Sequence, residues 1–404
     1  MSNSENKLWT TQYFLVMMVN LLTFINHFIF IALLPVYVIH IGGTNTDAGL
    51  LTGLFSIAAL VFRPVFGKLL DNKGRKIVLI MGLTLITIMS ASFIFTRTIS
   101  LLMIFRIING IGFSAGSTAI STVVADILPK ARLAEGIGYF GISNNIAQAI
   151  GPLIGLYIIQ GYGYTALFVA VAVVSFISMI CSFPIKYTKQ HAKEKEEKGK
   201  LAGQSDRNTN IRLRFLETAL ISPALMMLLI ATVFGAVQTF VAKYALSMGI
   251  SNIGIFFTVY ALATIFSRFF YGQLITTMGL GKTLVPAILL VILSQIILSF
   301  ATTLWMFILS AIFYGFGAGF IMPTLNTIIV LFASPSKKGM ALALFFSAMD
   351  IGVGFSAIIW GILSQNFGYP VIYMGSVVSC VLALIIYAVS LKKSLHERRH
   401  PQAD

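Results

Sequence analysis

Displaced along itself by 205 positions, this chain matches itself, and it does so within strongly apolar sequence. Gly49, Arg63, Gly67, Leu69 and Gly74 align with Gly254, Arg268, Gly272, Leu274 and Gly279. Gly110 and Gly112 align with Gly315 and Gly317, and Gln160, Gly163 and Tyr164 align with Gln365, Gly368 and Tyr369. Matches at one fixed offset, most of them at glycine, point to one folding unit used twice. Two related membrane halves can enclose a site near the bilayer midplane and expose it first to one side and then to the other.

Composition sets the solvent. Hydrophobic residues make up 57% of the 404 and charged residues 10%, too few charges to cover a soluble protein of this size. In lipid each span must satisfy its own backbone hydrogen bonds, which favours helices of about 20 apolar residues. Gly, Pro, Lys and Asp clusters divide the sequence into twelve such spans. Their cores lie near 13–39, 48–69, 77–96, 101–128, 135–159, 165–185, 219–245, 253–275, 283–301, 304–332, 339–363 and 370–391. The expected fold is an all-α membrane protein with twelve transmembrane helices in two pseudosymmetric six-helix bundles. The expected division is 1–185 and 215–404 for the bundles and 186–214 for a linker.

A net charge of +15 invites a nucleic-acid reading, but the charges are sorted by loop. Lys68, Lys73, Arg75 and Lys76 follow the second span, Lys130 and Arg132 the fourth, and nine basic residues occupy Lys186 to Arg214. The alternate loops near 41–47, 160–164, 302–303 and 365–369 contain no Lys or Arg, with Arg97 and Lys243 as exceptions on that side. This asymmetry is the positive-inside pattern. It places both termini and the linker in the cytoplasm of a chain embedded in a plasma membrane, with no nucleic-acid partner. Cys181 and Cys380 lie inside spans and imply no disulfide framework, and Met1 to Thr10 lacks a cleavable signal pattern.

The loop after the second span reads Gly67-Lys-Leu-Leu-Asp71-Asn-Lys-Gly74-Arg75-Lys76-Ile-Val-Leu79, a helix stop, a glycine turn and a restart. This spacing resembles the signature loop of the major facilitator superfamily. Arg106-Ile-Ile-Asn109-Gly110-Ile-Gly112 is similar to that family's fourth-helix motif, with Asn where Gln is common. Ala147-Gln-Ala-Ile-Gly151-Pro152-Leu-Ile-Gly155 is similar to the fifth-helix motif of its drug:proton antiporter branch, departing from it at Ala147 and Leu156. The resemblance covers essentially the whole chain. It implies transport by alternating access, with Arg106 tied to proton coupling. It also implies a latch of Gly67, Asp71, Gly74 and Arg75, in which Arg75 reaches Asp126 at the end of the fourth span. Thr276 replaces Asp71 in the second copy, so the latch is one-sided. Gly151-Pro152 removes a helix hydrogen bond and allows a bend, and Gly155 permits close helix contact; hinge and plain packing both remain open readings.

A charge near the bilayer centre costs about 2.5 kcal/mol or more, so each embedded one needs a partner or a cavity. Asp350 is the carboxylate deepest in a span, and its repeat counterpart is Asn145. A lone buried acid suits proton loading, with a permanent ion pair to Arg106, Arg268 or Lys243 as the alternative. Arg63 and Arg268 are repeat mates one turn before Gly67 and Gly272. They either snorkel to headgroups or line the cleft between halves, and in the cleft they favour an anionic substrate. Asn26, His27, Asn145, Gln148, Gln238 and Asn326 are further candidates for substrate contact, with helix-to-helix hydrogen bonding as the competing role. The leading function is a proton-coupled antiporter exporting a small drug-like or carboxylate-bearing molecule as a monomer. Proton-coupled uptake is the alternative, and a membrane-embedded enzyme or a non-transporting sensor is a weaker one. The residues offer no cofactor motif, no metal-ligand cluster and no P-loop for ATP.

Overall fold

The computed structural model describes residues 8–129, 132–185, 210–333 and 338–392, without the side chains of 71, 133–135, 138, 210–219 and 338–340. In chain order the helices are α1 (Thr11–His40), α2 (Asn45–Lys73), α3 (Arg75–Ser92), α4 (Ile99–Ile127) and α5 (Leu133–Ser182). They continue as α6 (Asn210–Ser247), α7 (Gly254–Met278), α8 (Leu280–Ser299), α9 (Leu304–Phe332), α10 (Lys338–Phe367) and α11 (Pro370–Ile386). Among the described residues, eleven helical stretches are long and apolar enough to cross a membrane. The sequence pattern predicts twelve. The difference lies in α5, where a 44-residue apolar stretch from Tyr139 to Ser182 is interrupted by one non-helical residue, Gly163 (φ 79°, ψ 179°). At about 1.5 Å rise per residue that stretch is twice the length one crossing needs.

Local sequence sets the breaks. Thr44 and Asp47 form a capping box that opens α2, with the Asp47 amide donating to Thr44 Oγ1 at 3.1 Å and the Thr44 amide donating to Asp47 Oδ2 at 2.8 Å. Gly74 (φ 94°) separates α2 from α3, and Gly279 (φ 80°) separates α7 from α8. Side chains other than glycine rarely adopt that backbone region. The remaining positive-φ glycines also pair up: Gly163 with Gly368 at the offset of 205, and Gly42 with Gly249 two residues further.

The repeat extends to packing. A Cβ at Gly110 would meet the Phe55 carbonyl at 2.6 Å, and one at Gly315 would meet the Tyr260 carbonyl at 2.5 Å. Gly112 and Gly317 likewise face the carbonyls of Gly82 and Ala287 at 3.2 and 2.7 Å. Each pair touches backbone at positions that are themselves 205 apart. These glycines let α4 sit directly on α2 and α3, and α9 on α7 and α8.

The helices up to Ser182 pack chiefly on one another, as do those from Asn210 on. The seams between the two groups are α2 with α10, α5 with α7, and α1 with α6. The apolar core is asymmetric along the membrane normal. Towards the short neutral loops, Phe30, Leu34, Tyr37, Leu156 and Phe168 belong to one cluster with Phe240, Phe256 and Tyr373. Towards the basic loops, Tyr13, Val78, Leu83, Ile120 and Val124 form a separate cluster whose members all come from the first group. The halves are fused at the neutral-loop end and divided at the basic-loop end.

Candidate functional site

Small residues build the fused end. Gly49 and Gly53 on α2 lie against Ala357, Gly354 and Gly361 on α10. A Cβ at Gly49 would stand 3.0 Å from the Ala357 carbonyl carbon and 3.1 Å from Gly361 Cα, closer still to the Ala357 oxygen. Two repeat-related glutamines close the same end crosswise, Gln365 over the α2–α10 seam and Gln160 over the α5–α7 seam. Gln365 Oε1 accepts from the Asn45 amide at 2.8 Å, and Gln160 Nε2 donates to the Ser251 carbonyl at 2.6 Å. The Tyr369 hydroxyl adds a bond to Asn45 Oδ1 at 3.2 Å. The sequence marks Gln160 and Gln365 as a repeated pair but gives no sign that each reaches into the other half.

Further along α2, the contact between the halves is ionic. Arg63 Nη2 lies 3.0 Å from Asp350 Oδ2, with side-chain exposures of 29% and 16%. Both positions sit in apolar spans, and both side chains are partly exposed. One turn further, a Cβ at Gly67 or at its mate Gly272 would meet nothing within 4 Å among the described residues. The repeat counterparts of the pair are Arg268 and Asn145, where an amide replaces the acid. Arg268 is exposed, and no ion pair involves it among the described residues.

The structure therefore gives Asp350 a partner that the sequence pattern assigns to substrate contact. Arg106, the expected coupling partner, lies elsewhere. It is 1% exposed, its Nη1 donates to Asn109 Oδ1 at 2.9 Å, and its guanidinium lies 3.9 Å from the Phe55 ring centroid. His27 stands in the adjoining aromatic wall, stacked on Phe113 at 4.4 Å and 16°, with Phe55, Phe28 and Phe24 around it.

The remaining candidates separate by environment. Asn26 donates to Ser90 Oγ at 2.8 Å and also to Ser175, tying α1 to α3 and α5, so its amide is spent on packing. Gln148 meets the Tyr260 hydroxyl across the α5–α7 seam. Asn145, Gln238 and Asn326 are half-buried and make no hydrogen bond among the described residues. Gly151 and Gly155 both face α1, next to Ile25 and Ile29, with Pro152 between them inside α5. At the basic-loop end Arg75 Nη1 lies 2.6 Å from Asp126 Oδ2, joining the start of α3 to the end of α4. The Asp71 side chain and the 186–209 part of the linker lie outside the described residues. Lys243 is buried near the fused end, its ammonium 6.0 Å from the Tyr369 ring.

Comparison with known proteins agrees with this architecture. The Major Facilitator Superfamily model matches residues 16–252 and 220–404. The staphylopine export protein of Staphylococcus aureus (strain Mu50 / ATCC 700699) is 24% identical over 358 residues, spanning 87% of this chain and 88% of its own. The quinolone resistance protein NorA of the same strain is 32% identical over 125 residues, 31% of this chain and 32% of its own. Among solved structures, the nucleoside transporter NupG superposes with a TM-score of 0.72 at 14% identity, covering 95% of this chain and 100% of that one. Matched by the family model over both repeats, built from apolar helices and sharing a transporter fold, the chain is a multi-pass membrane protein and belongs to the Major Facilitator Superfamily.

Proposed function

We propose that this protein is a proton-coupled antiporter that exports a small molecule, drug-like or carboxylate-bearing, across the plasma membrane by alternating access. On this reading the chain crosses twelve times, α5 supplying two crossings. Two six-helix halves, 1–185 and 215–404, are joined by a cytoplasmic linker, 186–214, and both termini are cytoplasmic. The basic loops then mark the cytoplasmic side, and the conformation described is inward-open, sealed outside by the glycine seam and the glutamine clasp. Export is supported by the relatives named for export and for quinolone resistance.

The observation that carries the reading is the Arg63–Asp350 pair, a charge contact between α2 and α10 within apolar spans. An ionised Asp350 holds Arg63 and draws α2 to α10. A protonated Asp350 loses the attraction, so one proton changes the energy of the contact that must rearrange when the halves rock. Protons taken up from outside and released inside would drive that exchange against outward substrate movement. The test is flux in everted membrane vesicles under an imposed pH gradient, with compounds first selected by thermal shift on the purified protein. Gradient-dependent accumulation is expected. Accumulation that is indifferent to the gradient, or movement with the proton, refutes antiport.

A further inference from the structure

We infer that Arg106 is the carboxylate anchor of the substrate site, and that the exported molecule carries an anionic carboxylate beside a flat ring. The inference rests on the transport reading but not on its direction or on its proton coupling.

Charges in the membrane interior do not balance. Away from helix ends, Asp350 is the one carboxylate among the described residues, and Arg63 holds it at 3.0 Å. Arg106 is left as a guanidinium in the membrane interior, 1% exposed, with no acid within ion-pair distance among the described residues. The Phe55 and Phe30 rings, 3.9 and 5.9 Å from it, offer only partial compensation. A buried cation without a counter-ion is among the costlier arrangements a membrane protein can hold, and it marks a ligand or ion pathway.

The free donors then select the ligand's chemistry. Asn109 takes Nη1, whereas Nε and Nη2 are buried with no hydrogen-bond partner among the described residues. Those two nitrogens form the side edge of the guanidinium plane, where two N–H bonds run parallel. That edge fits the two oxygens of a carboxylate. A lysine there would supply the charge without the fork.

The neighbourhood fixes the other end of the molecule. Phe55 covers Arg106 and also packs against His27, whose Nδ1 is buried with no hydrogen-bond partner among the described residues. His27, Phe113, Phe24 and Phe28 complete a wall of π faces, of which His27, Phe24 and Phe28 are only half-buried. Swinging the Phe55 ring aside opens Arg106 to this wall. A carboxylate would bind at the guanidinium while a ring on the same molecule replaces Phe55 among the aromatics.

Matched acids and esters test this directly: a panel of N-acyl amino acids led by hippurate, against the corresponding methyl esters led by methyl hippurate. Binding is measured by thermal shift and equilibrium dialysis on purified protein with no gradient present. The acids are expected to bind at least tenfold more tightly than their esters. Arg106→Lys is expected to remove most of that preference although the charge remains, and Arg106→Gln to remove all of it. Equal binding of acids and esters across the panel, or an unchanged preference in Arg106→Lys, overturns the inference. Should the variants fail to fold, 4-iodohippurate is soaked into the wild-type protein and its iodine located by anomalous scattering. Iodine among His27, Phe113 and Phe24 supports the site; iodine elsewhere, or none, overturns it. Gradient-driven export of an uncharged compound with no acid preference would leave the transport reading standing and remove only this assignment. Acid binding without flux would do the reverse.

Discussion

Gly49→Ala should push the protein out of the conformation described here. The added methyl has no flexible neighbour to displace: it would meet backbone on α10, at the Ala357 carbonyl and Gly361 Cα. Forcing a methyl into a tight contact costs about 1–3 kcal/mol. In an outward-open state the α2–α10 seam separates at this end, so the cost falls on one state alone. The equilibrium should then shift towards outward-open by about 5-fold to about 150-fold. Gly67→Ala is the matched control, because a Cβ there meets nothing within 4 Å among the described residues. The assay is pulsed electron spin resonance between labels at Phe95 and Trp305, both highly exposed, with Cys181 and Cys380 replaced by alanine. Gly49→Ala should add a longer-distance population that Gly67→Ala lacks. An unchanged distribution in folded Gly49→Ala, or an equal shift in Gly67→Ala, would refute the seam as the outer seal.

Other outcomes follow from the same contacts. Gln160→Ala and Gln365→Ala each remove one bond between halves, worth about 0.5–1.5 kcal/mol, and together should broaden the same distances about additively. If the pair of variants leaves those distances untouched, the clasp is incidental. Asp350→Asn leaves Arg63 uncompensated; partial exposure places the stability loss between exposed and fully buried pairs, about 1–3 kcal/mol by chemical denaturation in detergent. Its flux should lose gradient dependence, and retained dependence would clear Asp350 of proton transfer. Asn26→Ala should cost about 1–3 kcal/mol of stability through loss of the two bonds it donates, to Ser90 and Ser175, while leaving substrate KM near wild type. A KM effect without a stability effect would return Asn26 to the binding site.

The fold was legible because its rules are local and repeated. Apolar length marks a span, glycine at a positive φ marks a break, and the offset between Gly74 and Gly279 says that the break is used twice. The expected break between 159 and 165 falls on Gly163, the one non-helical residue inside α5. The site was legible in residue type but not in partnership. Asp350 and Arg63 each stood out as charges in lipid, yet which arginine met the acid depended on how far α10 slides along α2. That register is set by glycine contacts between halves rather than by any spacing within one. Asn26 and His27 look alike from sequence, neighbouring polar residues in one span. The helix turn sends one towards Ser90 and Ser175 and the other into an aromatic wall. Gln160 and Gln365 were visible as a repeat, but their crosswise reach needs the two halves docked in three dimensions.

Proton movement itself is the most direct measurement. In sealed vesicles holding a pH gradient and a pH-sensitive dye, a compound selected by binding is added and the gradient is followed over time. Addition should discharge the gradient in wild type, whereas Asp350→Asn should bind the compound without discharging it. A gradient that stands unchanged while the compound crosses the membrane would contradict proton-coupled exchange.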